Sequence, residues 1–290
     1  MNVVCTGDAG IDRYVDAAMD RPGGIALNVA VHLARLLGPE HVVSLLAPIG
    51  DDGGGRVVHD AARRNHVTPR LRVVSGATPV QRIRLLPSGE RRFDGYHAGV
   101  LGGFRLDADE RALVAASDLL TTTCFAQALD FFDAVASVPS RGLRAVDFTD
   151  LVDMPDPLDT VRRYAPSFDV AFFGLDPTQA ARIDALDALA RELGRLFVVT
   201  LGPAGSVGLT PNGRVVCPAA PAPCIVDTTG AGDTFGAGFL ASFIARHDVA
   251  ASLVAGSREA ARSLAHIGAF QWREGDSAGD SSPETPRNEA

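Results

Sequence analysis

Short apolar runs recur along this chain, separated by stretches in which apolar residues return every three or four positions. The runs at residues 3–6, 42–48, 119–123, 144–148, 170–173 and 197–201 read as strands. The intervening segments 28–37, 56–65, 127–136 and 178–193 carry the spacing of amphipathic helices. Strand–helix alternation kept up over most of the length predicts an α/β fold, a mostly parallel central sheet with helices on both faces.

Two stretches interrupt that rhythm. Residues 78–97 alternate polar and apolar positions on either side of Pro87-Ser88-Gly89, the pattern of a β-hairpin, with many charged side chains. A ribbon so polar is expected to project from the core as a small β lid, although an ordinary surface hairpin has the same pattern. A second hairpin is expected at 206–217, where Asn212-Gly213 suits a type I′ turn. Residues 273–290, rich in Gly, Ser, Pro and Glu, read as a disordered tail behind one domain at 1–272.

Composition narrows the chemistry. The 290 residues are 46% hydrophobic and 21% charged, enough for a full α/β core. No apolar run is long enough to span a bilayer, and residues 1–8 lack signal-like character, so a cytoplasmic protein without membrane partners is expected. A net charge of -8 argues against nucleic acid as a partner. Cys5, Cys124, Cys217 and Cys224 form no C-x-x-C pair; Cys217 and Cys224 could be read as a metal pair but read better as small buried apolar residues. All 27 Lys-plus-Arg positions are arginine. A chain without lysine has no Walker-A loop, no protein-kinase β3 lysine and no Schiff base. Phosphate charge must then be met by backbone N–H groups, arginine or metal.

The segment Asp227-Thr228-Thr229-Gly230-Ala231-Gly232-Asp233-Thr234-Phe235-Gly236-Ala237-Gly238 carries the most information. A strand-like end runs into small residues that open a helix. Gly230, Ala231 and Gly232 allow backbone amides to converge at its N-terminus, where unpaired N–H groups and the helix dipole attract anions. Asp233, in the first turn, is a candidate general base. Nothing about a helix terminus should raise its pKa above the usual value of about 3.9. Helix capping alone would account for an aspartate there, but not for the glycines around it, each costing roughly 1 kcal/mol against alanine in a helix. A dinucleotide-binding reading fails because the spacing is G-x-G-x-x-x-G and lies far from the first strand. Upstream, Gly23-Gly24 before Asn28 permits close approach of backbone to a ligand, a weak signal alone.

With both segments in view, the chain resembles the PfkB/ribokinase family of carbohydrate and nucleoside kinases from Val3 to about Phe270. The resemblance implies a ribokinase-like three-layer α/β/α fold with lid segments near 11–24 and 78–97, and phosphoryl transfer from ATP with Mg²⁺ to a substrate hydroxyl. It implies Asp233 as base and Asp12, Gly23, Gly24 and Asn28 around the sugar. Thr200, Gly202 and Gly205 would contact the nucleotide, although a plain strand exit reads the same way in isolation. Asp227 and Thr229 match positions that hold a monovalent cation, K⁺, in some members. Gly50-Asp51-Asp52 through Gly55 fits a turn common in the family. The family's N-x-x-E motif is missing; Phe172-Phe173-Gly174-Leu175-Asp176-Pro177 stands in its place, with Asp176 as a partial substitute.

Within the family, 92–100, 147–150 and 266–270 look most like the fructoselysine 6-kinase branch, which implies a sugar or sugar-amine as small-molecule substrate. Arg92 and Tyr96 become candidate substrate contacts, and a lid of this kind can serve as a homodimer interface. A ribokinase or nucleoside kinase on the same scaffold, and a non-catalytic sugar-binding regulator, remain alternatives.

Overall fold

The computed structural model describes residues 1–272; the stretch expected to be a disordered tail lies outside the described residues. The chain opens with β1 (Asn2–Thr6), then β2 (Gly10–Tyr14) and β3 (Met19–Gly23), followed by α1 (Ile25–Leu37), β4 (Val42–Gly50), α2 (Gly53–Arg64) and β5 (Thr68–Val74). The expected hairpin follows as β6 (Val80–Leu85) and β7 (Arg91–His97). Strands and helices then alternate through α3 (Ala108–Ala115), β8 (Leu119–Thr123), α4 (Leu129–Ala136), β9 (Leu143–Asp147), α5 (Pro157–Tyr164), β10 (Val170–Gly174), α6 (Ala180–Leu193) and β11 (Leu196–Thr200). The second hairpin, β12 (Ser206–Thr210) and β13 (Gly213–Cys217), precedes α7 (Ala231–Arg246) and α8 (Val249–Ser263).

Nine strands form the central sheet in the order β13-β12-β11-β10-β9-β8-β1-β4-β5. Every pairing is parallel except β11–β12 and β12–β13. Alternate side chains of each strand feed opposite cores, as the two-residue period requires. Val3, Cys5, Ala145, Val170 and Val198 pack with α1, α2, α7 and α8. Val146, Ala171, Phe173, Phe197 and Val199 pack with α5 and α6 on the other face, and Val4 and Leu120 with α3 and α4. On that second face Phe148 and Phe173 stack at 5.5 Å, and Phe168 meets Phe148 edge-on. This is the ribokinase-like α/β/α fold expected from the sequence.

A separate four-stranded sheet, β3-β2-β6-β7, completes the architecture. Asp52 fixes it to the core: its side chain caps α2 through the Gly55 N–H (2.9 Å) and holds both the N–H and the hydroxyl of Thr78, just ahead of β6. The hairpin turn closes through Leu86 and Glu90, with Gly89 at φ 82°.

Two local expectations need correction. Thr210 pairs with Gly213, so the β12–β13 loop is Pro211-Asn212, not Asn-Gly. A type I′ turn needs positive φ at both central residues, which proline's ring forbids; only Gly213, at φ 131°, lies in the left-handed region. Of Cys217 and Cys224, the first is buried as expected, but Cys224 is exposed.

Candidate active site

The parallel strands end on one edge of the sheet, and the chain reverses its direction of travel between β1 and β8. Open α/β sheets bind ligands outside their carboxyl ends at such a switch point. A cleft lies there, lined by Thr6 of β1, Thr121, Thr122 and Thr123 of β8, Asp147 of β9, and Gly232, Asp233 and Gly236 of α7. Asp147 reaches it because residues 145 and 147 share the α1/α7 side of β9.

The opening of α7 is held by close packing and a buried polar link. Gly230 stands at φ 72°, and a Cβ there would come 2.2 Å from the Cβ of Ala269, so both conformation and space exclude a side chain. Thr234 hydroxyl donates to the Gly230 carbonyl at 2.8 Å. Nε2 of His32 contacts Thr234 Oγ1 and the Ala269 carbonyl, both at 2.9 Å. Burial pushes the imidazole down to about 4, so it is neutral and its N–H is the donor. At the helix mouth the Ala231 N–H turns back to the Thr228 carbonyl (3.2 Å). The amides of Gly232 and Asp233 meet no protein acceptor among the described residues. Of the glycines further along, Gly236 borders the cleft with open space around it, whereas Gly238 packs against Glu259 of α8. Gly238 therefore serves helix packing.

Asp233 accepts a hydrogen bond from Asn28 Nδ2 at 2.7 Å. Burial raises its pKa to about 6, against the lowering effects of Asn28 and Arg91. The sequence-based expectation of an unshifted carboxylate is thus corrected: desolvation by the surrounding fold outweighs the helix terminus.

Three further carboxylates crowd the same region. Burial and then the charge of Asp233 lift Asp8 and Asp147 to about 7 each. Asp12 rises to about 8 from burial, Asp233, Asp8 and Asp227, with Arg91 opposing. Asp8 accepts the Ile25 N–H at 3.1 Å at the start of α1, and Asp147 accepts the Thr149 N–H at 2.7 Å. Asp12 lies against Gly23, where a Cβ would fall 2.2 Å from its Oδ2. Gly24, at φ 97°, lets the chain pass beside the Asp8 carbonyl into α1. The residues predicted around the sugar, Asp12, Gly23, Gly24 and Asn28, are therefore brought together with Asp233.

Of the hairpin candidates, Tyr96 packs edge-on against Phe125 (5.4 Å), and its buried hydroxyl has no protein partner. Burial raises its pKa, with Asp8 and Asp12 as the next causes. Arg92 is exposed and lies across from Arg84, whose guanidinium pairs with Asp16 and Asp94. Its neighbour Arg91 turns inward instead, donating to the Thr228 carbonyl at 3.2 Å and reaching Asp12 and Asp233 electrostatically. One residue along a strand reverses the face, and the β6–β7 bulge between Gln81 and Ile83 shifts the register.

On the far side, Thr200 ends β11 two strands beyond Asp147. Gly202, at φ 56°, faces open space, whereas Gly205 makes room for the Cys217 carbonyl. Asp176, the partial substitute for the missing motif, engages one carboxylate oxygen, Oδ1, with the N–H and hydroxyl of Thr178.

Asp8, Asp147, Arg91 and His32 thus join the site without having been singled out as site residues. For Asp147 a readable signal existed, a charged residue closing an apolar strand at the carboxyl edge. For the others only tertiary packing supplies one. No helix among the described residues is long and apolar enough to cross a membrane.

Comparison with known proteins bears on the fold and the family. Residues 168–271 match the model of the pfkB family carbohydrate kinases. The chain is 30% identical over 268 residues to Fructoselysine 6-kinase of Shigella flexneri, covering 91% of this chain and 97% of that protein. It is 29% identical over 277 residues to Fructosamine kinase FrlD of Bacillus subtilis (strain 168), covering 94% of each. Ribokinase of Arabidopsis thaliana, solved with ribose and ATP, superposes with a TM-score of 0.74 at 20% identity, over 92% of this chain and 93% of that one. A parallel sheet with its cleft at the switch point, an aspartate at the mouth of a late helix and this similarity over nearly all the described residues lead to one conclusion: the chain belongs to the pfkB family of carbohydrate kinases and is a phosphotransferase.

Proposed function

We propose that this protein transfers the γ-phosphate of ATP to a primary hydroxyl of a sugar bearing a protonated amine, a ketosamine such as fructoselysine. The observation that carries the reading is the pairing of Asp233 with free helix-mouth amides in one cleft. The acceptor hydroxyl gives its proton to Asp233, while the N–H groups of Gly232 and Asp233 take up the charge that builds on the phosphoryl oxygens. Asn28 keeps the Asp233 carboxylate oriented through the 2.7 Å bond, and its own Oδ1 is buried and unpartnered. That oxygen, the Tyr96 hydroxyl and the hydroxyl of Thr123 are orphaned buried groups, which a polyhydroxylated ligand would satisfy.

The charge balance supports an aminated sugar. Asp8, Asp12, Asp147 and Asp233 are brought together, with Arg91 acting on Asp12 and Asp233 and Arg21 directly across from Asp12 on β3, so that acids outnumber the arginines beside them. A substrate ammonium would offset carboxylates that burial leaves poorly solvated. Of the outward arginines of the hairpin, Arg82 and Arg84 are already paired with Asp16 and Asp94. Both fructosamine-type relatives fit this reading. Mg²⁺ would enter with the nucleotide and neutralise phosphate charge. Asp147, lining the cleft with one oxygen engaged by Thr149, is the acid suited to meet its hydration shell, whereas Asp176 does not line that cleft. The nucleotide would lie along the Thr200–Gly202 end of the sheet, and the accessory sheet would act as the lid.

An ADP-release screen over fructosamines, fructose, ribose and adenosine tests the assignment. Turnover with a fructosamine is expected to exceed that with the neutral sugars; phosphorylation of adenosine alone would defeat it. Asp233→Asn should lower kcat by about a thousandfold or more while ATP affinity changes little, general-base catalysis being worth 10²–10⁴-fold.

A further inference from the structure

Asp227 is fully buried just ahead of α7, and its carboxylate is already furnished with donors. Its Oδ2 accepts the Tyr14 hydroxyl at 2.5 Å and the Gly268 N–H at 2.8 Å, and its Oδ1 accepts the Thr229 N–H at 2.8 Å. A carboxylate oxygen offers two lone pairs, so Oδ2 is saturated. A hard cation is held by a cage of oxygens with free lone pairs. At this aspartate Oδ2 is filled by an O–H and an N–H group whose positive ends face inward, which leaves one lone pair on Oδ1 and the buried, unpartnered Thr229 hydroxyl as the only oxygens of these two side chains open to an ion, too few for such a cage. The cation site implied by the family resemblance does not fit these residues.

We propose that the Tyr14 hydroxyl takes over the work of the monovalent cation at Asp227, so that this kinase orders its anion site without K⁺. Tyr14 is buried and lies 213 positions from Asp227 in the chain, on strand β2 of the accessory sheet. Asp12 sits two residues earlier on the same face of that strand. The bond therefore ties the strand that holds the acceptor sugar to the loop that opens α7. Two further links reinforce it at the next residue: Thr228 N–H donates to the Gly89 carbonyl at 3.0 Å, and the Arg91 N–H donates to Thr228 Oγ1 at 3.1 Å. Gly89 admits no side chain there, since a Cβ would come 2.8 Å from Ile225. What a bound ion would do for one loop, the accessory sheet does for loop and substrate strand together.

The turnover arm of the test rests on the kinase reading; the thermal arm does not. The full chain is assayed in K⁺ and in N-methylglucamine at equal ionic strength, with turnover on the best substrate and Tm in the presence of MgADP. Wild type should change turnover less than threefold and Tm by less than about 2 °C. A K⁺-specific gain beyond either bound overturns the proposal. Tyr14→Phe, which keeps the ring and removes only the donor, should lose about tenfold in turnover without K⁺ and recover most of it with K⁺ but not with Li⁺. A Tyr14→Phe protein indistinguishable from wild type in both salts also overturns it. Absence of turnover on every sugar would refute the kinase reading, while the Tm comparison still decides whether the ion binds.

Discussion

Replacing Asn28 by leucine separates the electrostatic role of that residue from its packing. Asn28 Nδ2 donates to Asp233 Oδ2 at 2.7 Å, and this bond holds down a pKa that burial nonetheless raises to a net value of about 6. A hydrogen bond to a charged group contributes about 1.5–3 kcal/mol, and one pKa unit corresponds to about 1.4 kcal/mol. Loss of the donor should therefore raise Asp233 by about one to two units, to between about 7 and 8. A base must be ionised to act, so kcat/KM climbs with pH and levels off above the pKa of the free enzyme. At pH 7 the wild-type carboxylate is roughly nine-tenths ionised and the variant's roughly a half to a tenth. The assay is the pH profile of kcat/KM from 5 to 9.5. Any contact between Asn28 and the sugar lowers the plateau without moving the midpoint, so the two effects are distinguishable. A folded variant whose acid limb keeps its midpoint, or moves to lower pH, would refute the reasoning.

Arg91→Ala should lower kcat/KM at neutral pH by about tenfold or more, the worth of a charge-assisted contact. Arg92→Ala should stay within about twofold, as surface changes usually do; steady-state kinetics of the pair decide which arginine faces the site. Gly23→Ala forces a Cβ to within 2.2 Å of the Asp12 carboxylate. It should raise the sugar KM by about ten- to a hundredfold, the range of an overpacking cost of 1–3 kcal/mol. Calorimetry should find nucleotide affinity unchanged. The acid cluster also sets a pH dependence of stability. Asp8, Asp12, Asp147 and Asp233 are lifted to about 7, 8, 7 and 6 in the folded chain, above the unfolded value of about 4. Folding binds their protons more tightly, so this contribution is complete below the unfolded pKa and is lost as pH rises through the folded values. Ligand-free Tm should therefore fall between pH 5 and 9, and less steeply in Asp12→Asn; an equal slope in that variant would count against the assignment.

The order of strands and helices could be read from the chain because hydrophobic periodicity is a local property. The run at 119–123 coincides with β8, and those at 144–148 and 197–201 miss β9 and β11 by one residue. Strands β2 and β3 had no such signal: five residues each, with Asp12, Arg13, Asp20 and Arg21 among them, they pair only because the accessory sheet gathers them. Asp233 and its glycines were equally legible, since a turn of small residues opening a helix is written in consecutive positions. What the sequence could not determine was everything that depends on distance in space. Burial, which sets the pKa of Asp233, belongs to no residue alone. The choice of Arg91 over Arg92 hangs on a bulge in strand pairing. The bond from Tyr14 to Asp227 joins residues 213 positions apart, and only the folded chain brings a phenol and a carboxylate that remote into contact. Local pattern specified the elements and the chemistry-bearing turn; desolvation, register and long-range contact, which arise only on packing, decided how that turn is charged and what holds it.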